Sequence, residues 1–461
     1  MIKEKGNQFY AFGSNLFQHS CPADLGRVQS RGHQKVLREP TAISSLSDGH
    51  WWEVLKVTDS QTLLRRHQLK CLADEKDEVN NQCLEIWGYD ESKDVMGVQS
   101  RIEEHHSLPS DVKIKKWIGR ERVVGCLTED GRIGVFHNHL DSQLPTLIES
   151  KAEICLSPIG RNYQDLTISD TGQVLAALQI ENYSQQEIGL STENVSEKSR
   201  FKLELWSSFK DFAKELLSSI EIDQEPLACH SIKFAHLVPE QSEISLASGA
   251  AHFLILTQTP SDSRKCENLA DSKSNQSYQS TLYSFGDNRY GQLGLGYRSQ
   301  RVESPTVIQD IDEIVEIGCG LFHSAILGTQ GELYTFGYNR LGQCGFCAED
   351  DLDLSKPNLV DIGGKGESGN PIDVFDFSCG SEHTVVLTSS GVWVTGSNKL
   401  GQLGLNQNIK SIDKFHLNEN INLLIDPKQS VTKYIAQNVS NSSEFWKVLC
   451  GRWNTFVWRG V

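Results

Sequence analysis

Positive charge is scarce in this chain of 461 residues. Lys and Arg number 44 against 60 Asp and Glu, which leaves a formal net charge of −16. Phosphate binding needs clustered Lys and Arg, so this balance argues against a protein that wraps DNA by itself. A local basic face is compatible with it, but no direct DNA binding is expected.

Long hydrophobic runs are also missing. No stretch approaches the roughly 20 apolar residues that a membrane helix requires. The opening residues, MIKEKGNQFYAFG, contain no apolar signal core. The sequence therefore predicts a nuclear or cytoplasmic protein, or one found in both places, which is neither secreted nor bound in a membrane.

The chain does contain a repeated glycine-rich segment. Residues 282–295 read LYSFGDNRYGQLGL, residues 333–345 read LYTFGYNRLGQCG, and residues 392–405 carry the looser copy VWVTGSNKLGQLGL. Units that recur about 50–60 residues apart indicate a repeat architecture.

A second motif, Gly-x-x-His, accompanies each glycine-rich segment, and in a fourth copy near the chain's end Asn takes the place of His. The paired positions are Gly249 and His252, Gly320 and His323, Gly380 and His383, and Gly451 and Asn454. After each His come an apolar run, often a Gly turn such as the one at Gly331, and a second apolar run. This order predicts a β-hairpin.

These repeat positions are interpreted as structural. The segment 286–294 resembles a phosphate loop but lacks the Lys-Ser/Thr that should follow, and it recurs three times. We expect its Asn side chain to satisfy local backbone groups in each copy, and we expect each His to be buried and bonded to the backbone of a neighbouring blade. The structural positions in this segment are Gly286, Asn288, Gly337, Asn339, Gly396 and Asn398.

Fainter copies bring the number of units to seven. Aromatic or glycine strand ends occur also at Phe12-Gly13, Trp87-Gly88, Phe136 and Trp206, and a degenerate Gly-x-x-His site is assigned to Gly49–Trp52. The chain starts with the second half of a unit and ends with the first half. The predicted fold is therefore all-β: a seven-bladed β-propeller closed by pairing of the N- and C-terminal strands.

One propeller domain is predicted over residues 1–461, with disordered or helical inserts. Trimming about ten residues from either end should unfold it, because the closing blade would lose a strand. A short helix on the rim is predicted by apolar residues that recur at helical spacing, which are Phe209, Phe212, Ala213, Leu216 and Leu217. The inserts are placed at about 71–82, 181–201, 258–280, 346–371 and 406–444.

No catalytic or metal-binding constellation is apparent. Cys344 and Cys347 form a CxxC pair without a second pair to complete a zinc site. Cys319, Cys379 and Cys450 share one repeat position, so they should lie a blade apart as free thiols. Neither a Ser/His/Asp arrangement nor a nucleophile elbow occurs. We expect no enzyme activity, no cofactor and no metal.

Taken together, Phe-Gly-x-Asn-x-x-Gly-Gln-Leu-Gly and Cys-Gly-x-x-His-(Ser/Thr) resemble the repeats of the regulator of chromosome condensation family. The resemblance is specific over residues 244–405 and weaker over 1–240. It implies a seven-bladed propeller closed by its two ends. The irregular early repeats and the ending CGRWNTFV at 450–457 are similar to a short, propeller-only branch of the family that partners a JmjC-type oxygenase.

The resemblance implies three hypotheses for function. The first is a non-enzymatic, monomeric scaffold that binds a chromatin-linked JmjC demethylase or hydroxylase. The second is nucleotide exchange on a Ran-like GTPase, as in the founding member of the family. The third is assistance in diphthamide synthesis and wobble-uridine modification of transfer RNA. The partner-binding residues are unknown from sequence, and Trp117, Trp206 and Arg452 are named only as guesses.

Overall fold

The computed structural model describes residues 9–14, 36–42, 50–68, 83–90, 95–103, 112–136, 154–180, 200–217, 229–232, 242–260, 278–347, 353–363, 373–406, 408–425 and 445–460. These residues form seven four-stranded antiparallel sheets and two helices. Each sheet is one blade of a propeller, so the predicted fold class and blade number are confirmed.

The blades are numbered in chain order, with the innermost strand given first. Blade 1 is β3 (His50–Val57), β4 (Gln61–Gln68), β5 (Cys83–Asp90) and β6 (Val95–Glu103). Blade 2 is β7 (Ile114–Gly119), β8 (Val123–Thr128), β9 (Ile133–Phe136) and β10 (Ile154–Leu156). Blade 3 is β11 (Asn162–Ile168), β12 (Val174–Ile180), β13 (Arg200–Trp206) and β14 (Cys229–Ile232).

The second half of the chain forms the more regular blades. Blade 4 is β15 (Glu243–Ser248), β16 (His252–Pro260), β17 (Tyr278–Asn288) and β18 (Ser299–Val307). Blade 5 is β19 (Ile314–Cys319), β20 (His323–Gly328), β21 (Leu333–Gly337) and β22 (Asn358–Leu359). Blade 6 is β23 (Val374–Cys379), β24 (His383–Thr388), β25 (Gly391–Ser397) and β26 (Ser411–Leu417).

Blade 7 joins strands from the two ends of the sequence. Its order is β27 (Phe445–Cys450), β28 (Asn454–Gly460), β1 (Phe9–Ser14) and β2 (Val36–Ala42). β1 pairs antiparallel with β28, so that Ala11 lies opposite Phe456 and Phe12 opposite Thr455. The predicted closure is confirmed, and no blade of the ring lacks a neighbour on either side.

One hydrophobic cluster fills each of the seven junctions between blades. Successive residues of a strand point to opposite faces, so one strand serves two junctions. In β16, Phe253 packs towards blade 3 and Leu254 towards blade 5. Phe9 and Phe456 of blade 7 pack with Trp87 of blade 1, which closes the ring on that side. Apolar burial of this kind is the main stabilising term for a ring of small sheets.

The rim helix is where the sequence predicted one. Helix α1 (Phe209–Leu217) buries Phe212, Ala213, Leu216 and Leu217. The Ser208 hydroxyl accepts a hydrogen bond from the amide of Asp211 at 3.1 Å, which caps the helix start. A second helix, α2 (Glu419–Asn422), follows β26.

Several predicted insert boundaries are wrong. The stretch 346–371 contains β22, and 406–444 contains β26 and α2. β16 and β17 extend into 258–280 from both sides, and β13 begins inside 181–201. The positions outside the described residues are 181–199, 261–277, 348–352, 364–371, 407, 426–444 and the whole of 71–82. Within the described part of the chain, no helix has the length and apolarity needed to cross a membrane.

The assignment of a first-blade loop to Gly49–Trp52 is also wrong. His50, Trp51 and Trp52 belong to β3, the innermost strand of blade 1. The corresponding loop is Thr58–Ser60, because the amide of Thr58 donates to the carbonyl oxygen of Gln61 at 2.8 Å. The amide of Gly249 donates to the carbonyl oxygen of His252 in the same way at 3.0 Å.

Candidate protein-binding face

The Gly-x-x-His loops and the glycine-rich loops of blades 4 to 6 lie on one face of the ring, because both follow strands that run in the same direction. We call this the histidine face. The repeated residues on it form a network between blades. The Nε2 atom of His323 lies 2.9 Å from the hydroxyl of Thr384 in the next blade. That hydroxyl donates to the carbonyl oxygen of Gln343 at 2.7 Å.

The same arrangement occurs at two more junctions. His252 reaches Ser324, which donates to the carbonyl oxygen of Gln292. His383 reaches Thr455, which donates to the carbonyl oxygen of Gln402. Because each hydroxyl donates its proton to a carbonyl, it accepts from Nε2–H of the ring. The Nε2 atom thus bonds to a side-chain hydroxyl, and the expected contact with the backbone of the next blade also occurs, at His323 for His252 and at Asn454 for His383.

The glycine of the Gly-x-x-His motif makes room for the ring. A Cβ atom on Gly320 would lie 2.0 Å from Cε1 of His323, and on Gly380 it would lie 1.9 Å from Cε1 of His383. At Gly451 the neighbour is Oδ1 of Asn454, at 2.2 Å. Burial lowers the pKa of His252 to about 4 and the pKa values of His323 and His383 to about 3. The rings are therefore neutral structural groups rather than proton carriers at neutral pH.

The Asn of the glycine-rich segment holds its own loop. Asn339 accepts a hydrogen bond from the amide of Cys344 at 2.8 Å and donates to the carbonyl oxygen of Phe346 at 2.6 Å. Asn288 and Asn398 make the equivalent pairs of bonds. The glycines before them have φ near +100°: Gly286 has +103°, Gly337 +100° and Gly396 +99°. These loops are rigid platforms whose intervening side chains are free to face outwards.

The side chains they present are aromatic and basic. Tyr290, Phe322 and Tyr338 come from blades 4 and 5 and form a half-buried cluster, with ring centroids of Tyr290 and Tyr338 4.7 Å apart. The Arg289 guanidinium lies 5.8 Å from the Tyr290 ring centroid and is 57% exposed. Exposed Arg340 and Lys399 occupy the position of Arg289 in blades 5 and 6.

The centre of the same face is the mouth of a channel. The innermost strands of all seven blades line a cavity of about 420 Å³. At its mouth, the residue after the motif glycine of one blade donates a backbone bond to the equivalent residue of the next, as Leu321 does to Ser381 at 3.1 Å. Ion pairs connect the same positions elsewhere: Arg452 with Asp59 at 2.7 Å, and Arg120 with Asp170.

Two of the three guessed contact residues are wrong. Trp117 stacks on Phe136 and Trp206 packs edge-on against Phe212, and both indoles are buried in the core. Arg452 does lie on the histidine face, at the channel mouth. The aromatic cluster was missed because Tyr290, Phe322 and Tyr338 occupy variable positions of motifs that were interpreted as turns. Their signal was an aromatic residue directly beside a fixed residue of the repeat, which is Gly291 for Tyr290, His323 for Phe322 and Gly337 for Tyr338.

The cysteines of the described residues do not gather into a metal site. Cys319, Cys344, Cys347, Cys379 and Cys450 are free thiols. Among the described residues, no three His, Cys, Asp or Glu side chains gather closely enough to hold a metal ion.

The geometry defines a closed seven-bladed β-propeller with a histidine-anchored repeat. The profile described as "Regulator of chromosome condensation (RCC1) repeat" matches residues 279–327 and 330–387, and a second profile of that description matches 314–343 and 376–402. The chain is thus a propeller whose residues 279–402 match RCC1 repeats.

Curated relatives share these repeats over part of their length. The chain is 34% identical over 172 residues to the X-linked retinitis pigmentosa GTPase regulator homolog of Caenorhabditis elegans, which covers 37% of this chain and 10% of that protein. It is 36% identical over 134 residues to the Protein RCC2 homolog of Danio rerio, covering 28% of this chain and 25% of that protein. The match thus spans at most a quarter of these relatives.

Solved structures match over the whole ring. Human WBSCR16 superposes with a TM-score of 0.58 at 13% identity and covers 99% of this chain and 100% of its own. Prp20p of Saccharomyces cerevisiae superposes with a TM-score of 0.55 at 16% identity, covering 100% of this chain and 92% of its own. At these identities the likeness establishes the fold.

Proposed function

We propose that this chain is a non-catalytic scaffold that binds a protein partner through its histidine face. The observation that carries the proposal is the aromatic cluster of Tyr290, Phe322 and Tyr338 beside the exposed Arg289. Tyr and Arg are the residues most often found at interface hot spots, where a rigid platform keeps the entropic cost of binding low. A basic, aromatic surface on a chain of net charge −16 favours a partner with an acidic patch.

The proposed partner is the JmjC-type oxygenase that the short branch of the family implies. A small GTPase is the second candidate. The solved structure of Prp20p is described together with the binding of Prp20p to Gsp1p and histones, and a GTPase regulator homolog is among the relatives. Exchange on a GTPase also requires only surface loops. The transfer RNA and diphthamide hypothesis has no support from these relatives beyond overall similarity.

Affinity capture from cells, followed by mass spectrometry, tests the proposal. Wild-type protein is compared with Arg289→Ala, Tyr290→Ala and the control Arg301→Ala. The control is matched, because Arg301 is also a surface arginine paired with a carboxylate two residues away. We expect the first two variants to lose about tenfold or more of the captured partner, as hot-spot truncations do, and Arg301→Ala to retain it.

Equal capture by all three variants would contradict the assignment of the binding face. The identity of the captured protein separates the candidates: a JmjC oxygenase supports the first and a Ran-like GTPase the second. Release of a fluorescent GDP analogue from that GTPase provides a direct test. No acceleration at micromolar propeller would eliminate the exchange hypothesis.

A further inference from the structure

The channel mouth on the histidine face contains an uncompensated lysine. Lys56, Arg120 and Arg452 line one small recess there, between blades 6, 7, 1 and 2. Arg452 pairs with Asp59 and Arg120 with Asp170. The side chain of Lys56 makes no hydrogen bond or ion pair with any residue in the described part of the chain, although its backbone belongs to the β3–β4 ladder. The Lys56 side chain therefore has no counter-ion, whereas Arg120 and Arg452 in the same recess each have one.

The surroundings of Lys56 disfavour its charge. It lies in the channel, whose lining contains apolar residues such as Val54 and Ile118 and also charged side chains of both signs. Burial is the main cause that lowers the pKa of Lys56 to about 7, and repulsion from Lys116 and Arg120 adds to it, while Asp165 acts in the opposite sense. Lys116 is itself paired with Asp165 at 2.8 Å. An ammonium in such a place gains more from an anion than one in water does.

A second polar group points to the same ligand. Ser381 is 1% exposed and lines this recess, and its hydroxyl has no hydrogen-bond partner. Buried hydroxyls nearly always have a partner, so a ligand or water that accepts from Ser381 is called for. The recess itself measures about 30 Å³, and the wider channel continues from it. That is room for one small polar group.

We propose that this recess binds a single oxyanion group, a carboxylate or a phosphate, through the Lys56 ammonium and the Ser381 hydroxyl. The carboxylate of Asp59 also lines the recess, but its charge is balanced by Arg452. The anion has two possible sources, a free ion or an acidic side chain of a protein docked on the histidine face. The second source rests on the proposed function.

Chemical protection of Lys56 tests the free ion. The full chain is acylated with a limiting amine-reactive reagent, and the rate at each lysine is measured by mass spectrometry with inorganic phosphate, with acetate, and with chloride at the same ionic strength. We expect phosphate or acetate to slow acylation of Lys56 several-fold. Lys113, which is exposed outside the recess, should react equally in all three salts.

Variants test whether the named groups hold the anion. We expect phosphate or acetate, relative to chloride, to raise the melting temperature of the wild type and of the controls Lys113→Gln and Ser397→Ala. Lys56→Gln and Ser381→Ala should lose most of this rise. Ser397 is a matched control because its hydroxyl is equally buried and equally without a partner, but it does not line the recess.

Capture by Lys56→Gln separates the two sources. Reduced capture of the partner, without an effect of free ions on the wild type, identifies an acidic side chain as the occupant. If Tyr290→Ala loses the partner while Lys56→Gln retains it, the proposed function stands without a partner carboxylate in the recess. The anion site is disproved if, in addition, neither ion protects Lys56 nor shifts the melting temperature.

Discussion

At the scale of single residues, the repeat is a device for joining blades. The His of one blade donates to a hydroxyl of the next, and that hydroxyl is held by a loop carbonyl of the first blade. At each of these junctions the Nε2–H of the ring, the hydroxyl and the loop carbonyl are thus paired with one another, where an unpaired buried group would be costly. The motif Gly-x-x-His-(Ser/Thr) and the Gly-Gln turn therefore belong to one network rather than to two separate turns.

Replacing the central histidine should weaken the fold without touching the binding face. In His323→Ala the hydroxyl of Thr384 loses its donor and a cavity remains. We expect the free energy of unfolding, measured by urea denaturation, to fall by about 1–3 kcal/mol for the lost bond, and by more if the cavity stays open. His416→Ala, at an exposed position of β26, is the control. Equal effects of the two substitutions would contradict a structural role for the network.

The same histidines should make stability fall in mild acid. Their pKa values in the folded state lie well below the 6.5 of the unfolded chain, so only the unfolded state takes up their protons as the pH drops below about 6.5. Each one should therefore contribute about 2 kcal/mol less stability at pH ~5 than at pH ~7.5. We expect His323→Gln to show a smaller drop than the wild type in urea denaturation at these two pH values. An unchanged drop would mean that His323 is accessible to protons in the folded state.

The sequence predicted these residues only in part. Shared repeat position was enough to assign Gly320, His323 and Asn339 to the framework. The hydroxyl partner was out of reach, because Thr384 follows His323 by 61 residues and only the packing of blades brings them together. The sequence also could not show which face of the ring carries the candidate binding residues. Which variable positions form a surface depends on how neighbouring blades align.

At the scale of elements, the second strands of the regular blades could be predicted from the sequence and the outermost strands could not. A second strand such as β20 is buried along its whole length and has a continuous apolar run. The outermost strand β26 is mostly exposed, and β22 has only two residues. Strands of that kind carry little hydrophobic periodicity, so they were taken for inserts. Helix α1 was predicted because its buried face has the helical period.

Removing β1 should open the ring. In a chain that lacks residues 1–14, β28 loses five paired positions and the apolar cover of Phe9, Ala11 and Phe12. We expect loss of the cooperative thermal transition and association of the exposed strand edge, seen by circular dichroism and size-exclusion chromatography. A chain that lacks only residues 1–8, which precede β1, should behave as the full chain does. A monomeric, cooperative 1–14 deletion would refute closure as a requirement for stability.

At the scale of the whole molecule, the ring is held in two different ways. Blades 4 to 7 are joined by the histidine network and by backbone bonds at the channel mouth, such as Ser381 to Arg452. Around blades 7 to 3, the same mouth positions carry alternating charges, Arg452, Asp59, Arg120 and Asp170. Ion pairs thus occur at two junctions without the histidine network, between blades 7 and 1 and between blades 2 and 3. Backbone bonds at the mouth continue into this half, as from Asp59 to Arg120 at 2.9 Å.

Closure by strand pairing implies that the ring tolerates a change in where the chain begins. Phe9 lies opposite Trp458 in blade 7, so a short linker from Gly460 to Phe9 can join β28 to β1. We expect a permuted chain with this link, opened between residues 261 and 277, to keep its circular dichroism spectrum and a melting temperature close to that of the original. Opening the chain between Leu254 and Ile255, inside the buried strand β16, should abolish folding. If both permuted chains fail to fold, folding depends on where the chain begins and not only on the pairing of β1 with β28. The prediction would then be wrong.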